Sequence, residues 1–186
     1  LEHLIDKSIA KSLYVGIITD TGNFSYPNTT ASTHLIASKL INFGIDIQFI
    51  NNNIYQSFSE SRMRMLGHIL FNRFKVFSDR GCSYLYLTKE DLLNFNYKDG
   101  DTEGMVNYGL SIKGVNLSAI FIEKEDHIKI SLRSKGSFDV NQFARSNFNG
   151  GGHKNASGGQ LYCSLAKALV IFDFETELLK EEILNS

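Results

Sequence analysis

Residues 148–159 read FNGGGHKNASGG and hold five of the chain's 15 glycines around an imidazole and an ammonium. Glycine admits φ > 0 and lets main-chain N–H groups approach a ligand closely. Gly150, Gly151 and Gly152 could form a nest of donors for a phosphate, with His153 and Lys154 as cationic neighbours. A flexible surface loop is the plainer reading of the same triplet.

Upstream, KISLRSKG (Lys129–Gly136) reads as a strand. With Ile130 and Leu132 facing inward, alternation puts Lys129, Ser131, Arg133 and Lys135 on the other face. From Lys129 to Lys154 there are five Lys or Arg and a single acid, Asp139, a local excess of +4 on a chain of net charge -1. This is either a solvated strand face or, beside the glycines, a pocket for a short polyanion. A third candidate, Asp20 in ITDTGNF, is either a turn aspartate or a hard-metal ligand or general base. One carboxylate cannot hold a pair of metal ions. Glu103 and Asn107 stand one helical turn apart in a segment read as cap and packing.

Elements must position these groups. LYVGIIT (Leu13–Thr19) is a continuous apolar run that suggests a buried parallel strand, with Asp20 at its carboxyl end. A helix follows from a cap at Thr29 or Thr30, with Leu35, Ile36, Leu40 and Ile41 in apolar spacing and Gly44 as stop. Residues 57–74 predict a helix with Met63, Leu66, Ile69 and Leu70 on one stripe. Then the texture changes to two hairpins, RFKVFSD with CSYLYLT and VNLSAIFIEKE with HIKISLRS. Between the hairpins Thr88 and Asp91 offer a capping box. A short helix over Val140–Arg145, a strand GQLYC and one terminal helix from Leu165 to Leu184 complete the chain.

Hydrophobic residues at 42% and charged residues at 21% fit an ordinary globular protein of one large or two small domains. The net charge argues against a general duplex binder. No apolar run approaches a membrane span and no signal peptide is visible. Cys82 and Cys163, in strand-like runs without CxxC spacing, are expected as free buried thiols, and a cytoplasmic location follows. His3, His34, His68 and His127 are scattered singly and read as structural or solvated. The opening LEHLIDKSIAKS, without an initiator Met, reads as the middle of a domain, so a fragment is expected.

TDTGNFSYPNTT (Thr19–Thr30), TEGMVNY (Thr102–Tyr108), SLRSKGSFDVN (Ser131–Asn141) and GGGHKNASGG (Gly150–Gly159) occur in this order. In order and spacing they resemble the DHH/DHHA1 phosphoesterases, in particular the nanoRNase/pAp-phosphatase branch. The resemblance implies an α/β fold: the C-terminal part of a parallel-sheet DHH domain (1–55), a connector helix (56–72) and an α+β DHHA1 substrate-binding domain (73–186). It implies an Mn²⁺-dependent phosphoesterase that trims short oligonucleotides to mononucleotides and converts 3'-phosphoadenosine-5'-phosphate (pAp) to AMP. Asp20 matches a metal-ligand and catalytic aspartate. Gly150, Gly151, Gly152 and His153 match the substrate loop, with Lys154 beside it, and Arg133 with Ser134 match the phosphate-contacting segment. The DHH triplet itself is absent from this chain. Two Mn²⁺ ions belong to the full-length enzyme, and the chain alone is expected neither to retain them nor to turn over substrate. Short single-stranded RNA or DNA, or pAp, is the implied partner; no membrane is implied and a homodimer is left open. Rival readings are a cyclic-dinucleotide phosphodiesterase, a single-strand exonuclease of the same superfamily and a non-catalytic RNA-binding module.

Overall fold

In the computed structural model, which describes residues 4–186, Asp6 caps helix α1 (Lys7–Asp20) by accepting a hydrogen bond from the Ile9 amide at 2.8 Å. His3 lies outside the described residues. The run Leu13–Thr19 is therefore helix, not the parallel strand its apolar character suggests. A short continuous apolar run fits a buried strand or a buried helix equally well. Here Ala10, Tyr14 and Ile18 recur at four-residue spacing and form the buried face. Asp20 consequently ends a helix rather than a strand.

The chain divides into two units, Leu1–Phe58 and Ser59–Ser186. In the first, α2 (Ala31–Ile41) starts at a Thr30–Thr33 capping box, and α3 (Ile47–Tyr55) is capped by Asp46. Gly44, at φ +72°, ends the turn after α2. Tyr14, Ile18, Leu40, Ile45 and Ile50 form this unit's core. Of the apolar set expected on α2, Leu40 is buried while Leu35 and Ile36 are exposed.

The second unit is built on a sheet. Helix α4 (Glu60–Asn72), capped by Ser59, occupies the region read as a connector. Strands β1 (Phe74–Phe77) and β2 (Cys82–Leu87) form the first hairpin. Helices α5 (Lys89–Asn94) and α6 (Asn107–Leu110) lead to β3 (Leu117–Glu123), which lies parallel to β2 and forms the second hairpin with β4 (Ile128–Ser134). After α7 (Val140–Asn147) come β5 (Gly151–His153) and β6 (Ala156–Leu161), giving the order β1-β2-β3-β4-β6-β5. The expected single terminal helix breaks at Leu179 into α8 (Leu165–Leu178) and α9 (Lys180–Leu184). The break turns Ile183 into the core, where Asn116 Nδ2 donates to its carbonyl at 2.9 Å.

Both faces of the sheet carry apolar layers. On one, Met65, Leu66 and Ile69 of α4 meet Leu85, Leu87, Ile120 and Ile122, with Met105 and Val106 from the segment before α6. Met63, expected in that stripe, is instead exposed. On the other, Phe143 of α7 and Phe172 of α8 join Phe121, Ile128, Ile130, Leu132 and Phe148. Cys82 is buried, and burial pushes its thiol up to about 11. Cys163 lies past the end of β6 and is half-buried, so it is not the strand thiol expected. Among the described residues no helix is long and apolar enough to cross a membrane.

Candidate functional site

Strand β4 alternates as its sequence suggests. Ile128, Ile130, Leu132 and Ser134 are buried, while Lys129, Ser131 and Arg133 are half-exposed on the opposite face. Lys135 lies past the strand end and its Nζ donates to the Leu110 carbonyl. Arg133 Nη1 donates to the Leu132 carbonyl at 2.9 Å, and among the described residues no carboxylate pairs with it. Ser134 points away from Arg133. Its hydroxyl donates to the Phe138 carbonyl at 2.7 Å and accepts from Asn155 Nδ2 at 2.9 Å, which ties together the two turns flanking the site.

The glycine triplet is an edge strand with its entry bend, not an open loop. Gly150 N donates to the Ala144 carbonyl at 3.2 Å, and Gly152 N to Asn141 Oδ1 at 2.9 Å. Two of the three amides expected as phosphate donors are thus already satisfied inside the protein. What the glycines supply is proximity. A Cβ on Gly150 would stand 1.9 Å from the Gly158 carbonyl oxygen, and Gly152 takes φ +153°. Asn141, near the start of α7, is the organiser: its Oδ1 also accepts from Arg145 Nε at 3.1 Å.

This edge strand brings His153 to the cationic face. Arg133 and His153 are both registered on Ala156 of β6, one from each side. Register partners in an antiparallel ladder share a face, so the two side chains flank a methyl group across two strand spacings, about 10 Å. Ser157 Oγ donates to the His153 carbonyl at 2.8 Å and fixes the end of β5. Lys154 is exposed in the following turn, with no ion pair among the described residues.

A hollow of about 430 Å³ continues along the same face between Lys129, Ser131, Asn149, Gly150 and Gln160. His127 borders it. Reading the histidines one at a time missed His127, which stands just before β4 at the parity of Lys129 and Arg133.

Asp20 belongs to the first unit. Its Oδ2 accepts from Asn28 Nδ2 at 2.9 Å, and the same nitrogen reaches the Asp20 carbonyl at 3.3 Å. The turn after it passes through positive φ at Gly22, Asn23 and Phe24. Among the described residues no group of three or more His, Cys, Asp or Glu could hold a metal ion. Among the described residues Asp20 therefore has no second or third ligand beside it with which to hold a metal pair.

Known proteins share this architecture. The DHHA1 domain model matches residues 81–173, a span that includes the whole Arg133–Ala156–His153 row. The chain is 30% identical over 177 residues to the bifunctional oligoribonuclease and PAP phosphatase NrnA of Bacillus subtilis, covering 95% of this chain and 55% of that protein. It is 34% identical over 172 residues to the probable bifunctional oligoribonuclease and PAP phosphatase NrnA of Streptococcus mutans, covering 92% and 54%. The crystal structure of an exopolyphosphatase-related protein from Bacteroides fragilis matches with TM-score 0.92 and 42% identity, over 96% of this chain and 52% of that one. The chain thus spans about half the length of these relatives.

Proposed function

Since the chain belongs to the DHHA1 family, we propose that its second unit holds the substrate of a phosphoesterase acting on short oligonucleotides and on pAp. The observation that supports this reading most is the row Arg133–Ala156–His153, with a guanidinium at one end, an imidazole at the other and no acid paired to either among the described residues. A guanidinium offers a planar fork of donors to phosphate oxygens. An imidazole on the opposite side fixes the angle of approach. Holding the phosphate between two groups on rigid strands orients the bond to be broken. Lys154 adds charge at the rim, and Ser134 with Asn155 keeps the turns at the row's end in place.

The Bacillus and Streptococcus relatives carry the names oligoribonuclease and PAP phosphatase, and the substrate class proposed here follows theirs. Manganese dependence belongs to the same proposal, with Asp20 offering one carboxylate. The test is calorimetric titration with pAp in the absence of metal, comparing the chain with Arg133→Ala. Binding that weakens in the variant supports the reading; equal binding overturns it. Failure of the whole protein to cleave pAp with Mn²⁺ while still binding it would favour a binding module.

A further inference from the structure

Helix α8 has two opposite faces. Ala168, Phe172 and Thr176 recur at four-residue spacing and are buried, Ala168 and Phe172 within the core layer on that side of the sheet. Two positions on from each, a rotation of about 200°, stand Val170, Phe174 and Leu178, which are 66%, 60% and 63% exposed. Single apolar residues on a surface are ordinary, but three large ones in one helical stripe mark a contact face. The acids beside the stripe are already engaged: Arg80 Nη1 lies 2.7 Å from Asp173 and Arg80 Nε 2.8 Å from Glu177. The charges at its two ends are not. Lys167, three residues before Val170, is exposed, and Glu181 and Glu182 follow Leu178 in the first turn of α9. Among the described residues none of these three has an ion-pair partner.

We propose that this stripe is an interface between two copies of the chain, with their α8 helices antiparallel about a two-fold axis at Phe174. The pattern is self-complementary about that residue, as an isologous contact requires. Val170 and Leu178 lie four positions to either side, so Val170 of each copy meets the partner's Leu178, and the two Phe174 rings meet at the axis. Lys167 and Glu181 lie seven positions to either side, so the unpaired cation of each copy stands at the end where the other copy carries its unpaired acids. A parallel pairing would bring lysine to lysine and acid to acid. The contact leaves the row Arg133–Ala156–His153 open, because α8 packs on the opposite face of the sheet. One helical stripe covers less than the roughly 800 Å² per partner of a standard interface, so association on the order of 10–100 µM is expected.

The test is sedimentation equilibrium of the chain from about 5 µM to about 500 µM, a range that brackets this affinity. The parent is expected to dimerise across it and Phe174→Glu to stay monomeric, since that change buries two carboxylates at the axis. Lys167→Glu and Glu181→Lys, each alone, turn an attraction into a repulsion twice per dimer and are expected to weaken association about 3- to 30-fold. An equimolar mixture of these two variants is expected to recover the parent's affinity, because in the mixed dimer both end contacts are again between opposite charges. All three positions lie on the surface, so the variants keep the fold, and unchanged thermal melts verify this. A parent that remains monomeric throughout overturns the proposal and leaves the stripe to a different partner. A dimer that survives Phe174→Glu overturns it by placing the contact on another face. Single charge variants that dimerise like the parent, or a mixture no stronger than its components, overturn the antiparallel pairing.

Discussion

Arg133 and His153 are 20 positions apart in sequence yet face one another across Ala156, because β4 and β5 both pair with β6. Neither strand places the pair alone. The short edge strand exists because Asn141 captures the Gly152 amide and Gly150 lies against Gly158. The proposed phosphate grip is therefore a product of sheet register.

Arg133→Ala and His153→Ala should each weaken pAp binding by about 1–3 kcal/mol, the range for losing a charge-assisted hydrogen bond. If both contact one phosphate, the double variant should lose less than the sum, as coupled neighbours do. Calorimetry on the two single variants and the double variant checks this. Strict additivity would place the side chains on separate groups.

The three loop glycines should respond unequally to alanine. A Cβ at Gly150 would collide with backbone at 1.9 Å from the Gly158 oxygen, and backbone cannot swing aside as a side chain can. At Gly151 the nearest heavy atom is Asn141 Oδ1 at 3.4 Å, an ordinary contact. Gly150→Ala should cost more than about 2 kcal/mol of stability and Gly151→Ala under about 1. Urea unfolding decides; equal costs would contradict the packing described for this edge.

Acid should weaken the second unit through Asp91. Burial alone would raise its pKa. Hydrogen bonds from Arg73 Nε at 3.0 Å and from the Thr88 amide at 3.0 Å outweigh that and hold it at about 2. A carboxylate depressed in the folded state stabilises fully above its ordinary pKa, and that stability is lost as pH falls toward the folded value. The contribution is about 2 kcal/mol, disappearing between about pH 4 and pH 2. Stability of the parent should fall more steeply over that window than that of Asp91→Asn. Parallel slopes would show that the Arg73 pair contributes nothing.

Much of this was legible in the sequence where one face of an element is buried and the other is not. Ile128, Ile130 and Leu132 alternate with Lys129, Ser131 and Arg133, and a period of two admits one orientation on a one-sided core. The Thr88–Asp91 box was visible because capping is local. Leu13–Thr19 was misread because a continuous apolar run has no period; Asp6 and the Ala10–Tyr14–Ile18 spacing were the signals to weigh. The glycine run was plain, but the fate of its amides depends on Asn141 and Ala144, which reach it only through folding. His127 was missed because its meaning lies in parity with its neighbours and in Tyr162, brought beside it by the β4–β6 pairing.

Asp20 offers the sharpest separation of stability from function. It is the last residue of α1, where the helix dipole presents its negative end, and no basic residue lies in that turn. A carboxylate there is a local cost, offset in the structure by Asn28. Asp20→Asn removes the charge and keeps the shape, so stability should hold or rise by about 0.3–1 kcal/mol. If Asp20 serves as a metal ligand in the whole protein, the same change should abolish turnover of pAp with Mn²⁺ there. The 186-residue chain, with one such carboxylate, should bind pAp without hydrolysing it under the same conditions. A thermal melt beside a phosphate-release assay reads both halves. Full turnover by Asp20→Asn would leave the carboxylate no role beyond its turn, and turnover by the chain alone would place the catalytic groups elsewhere in it.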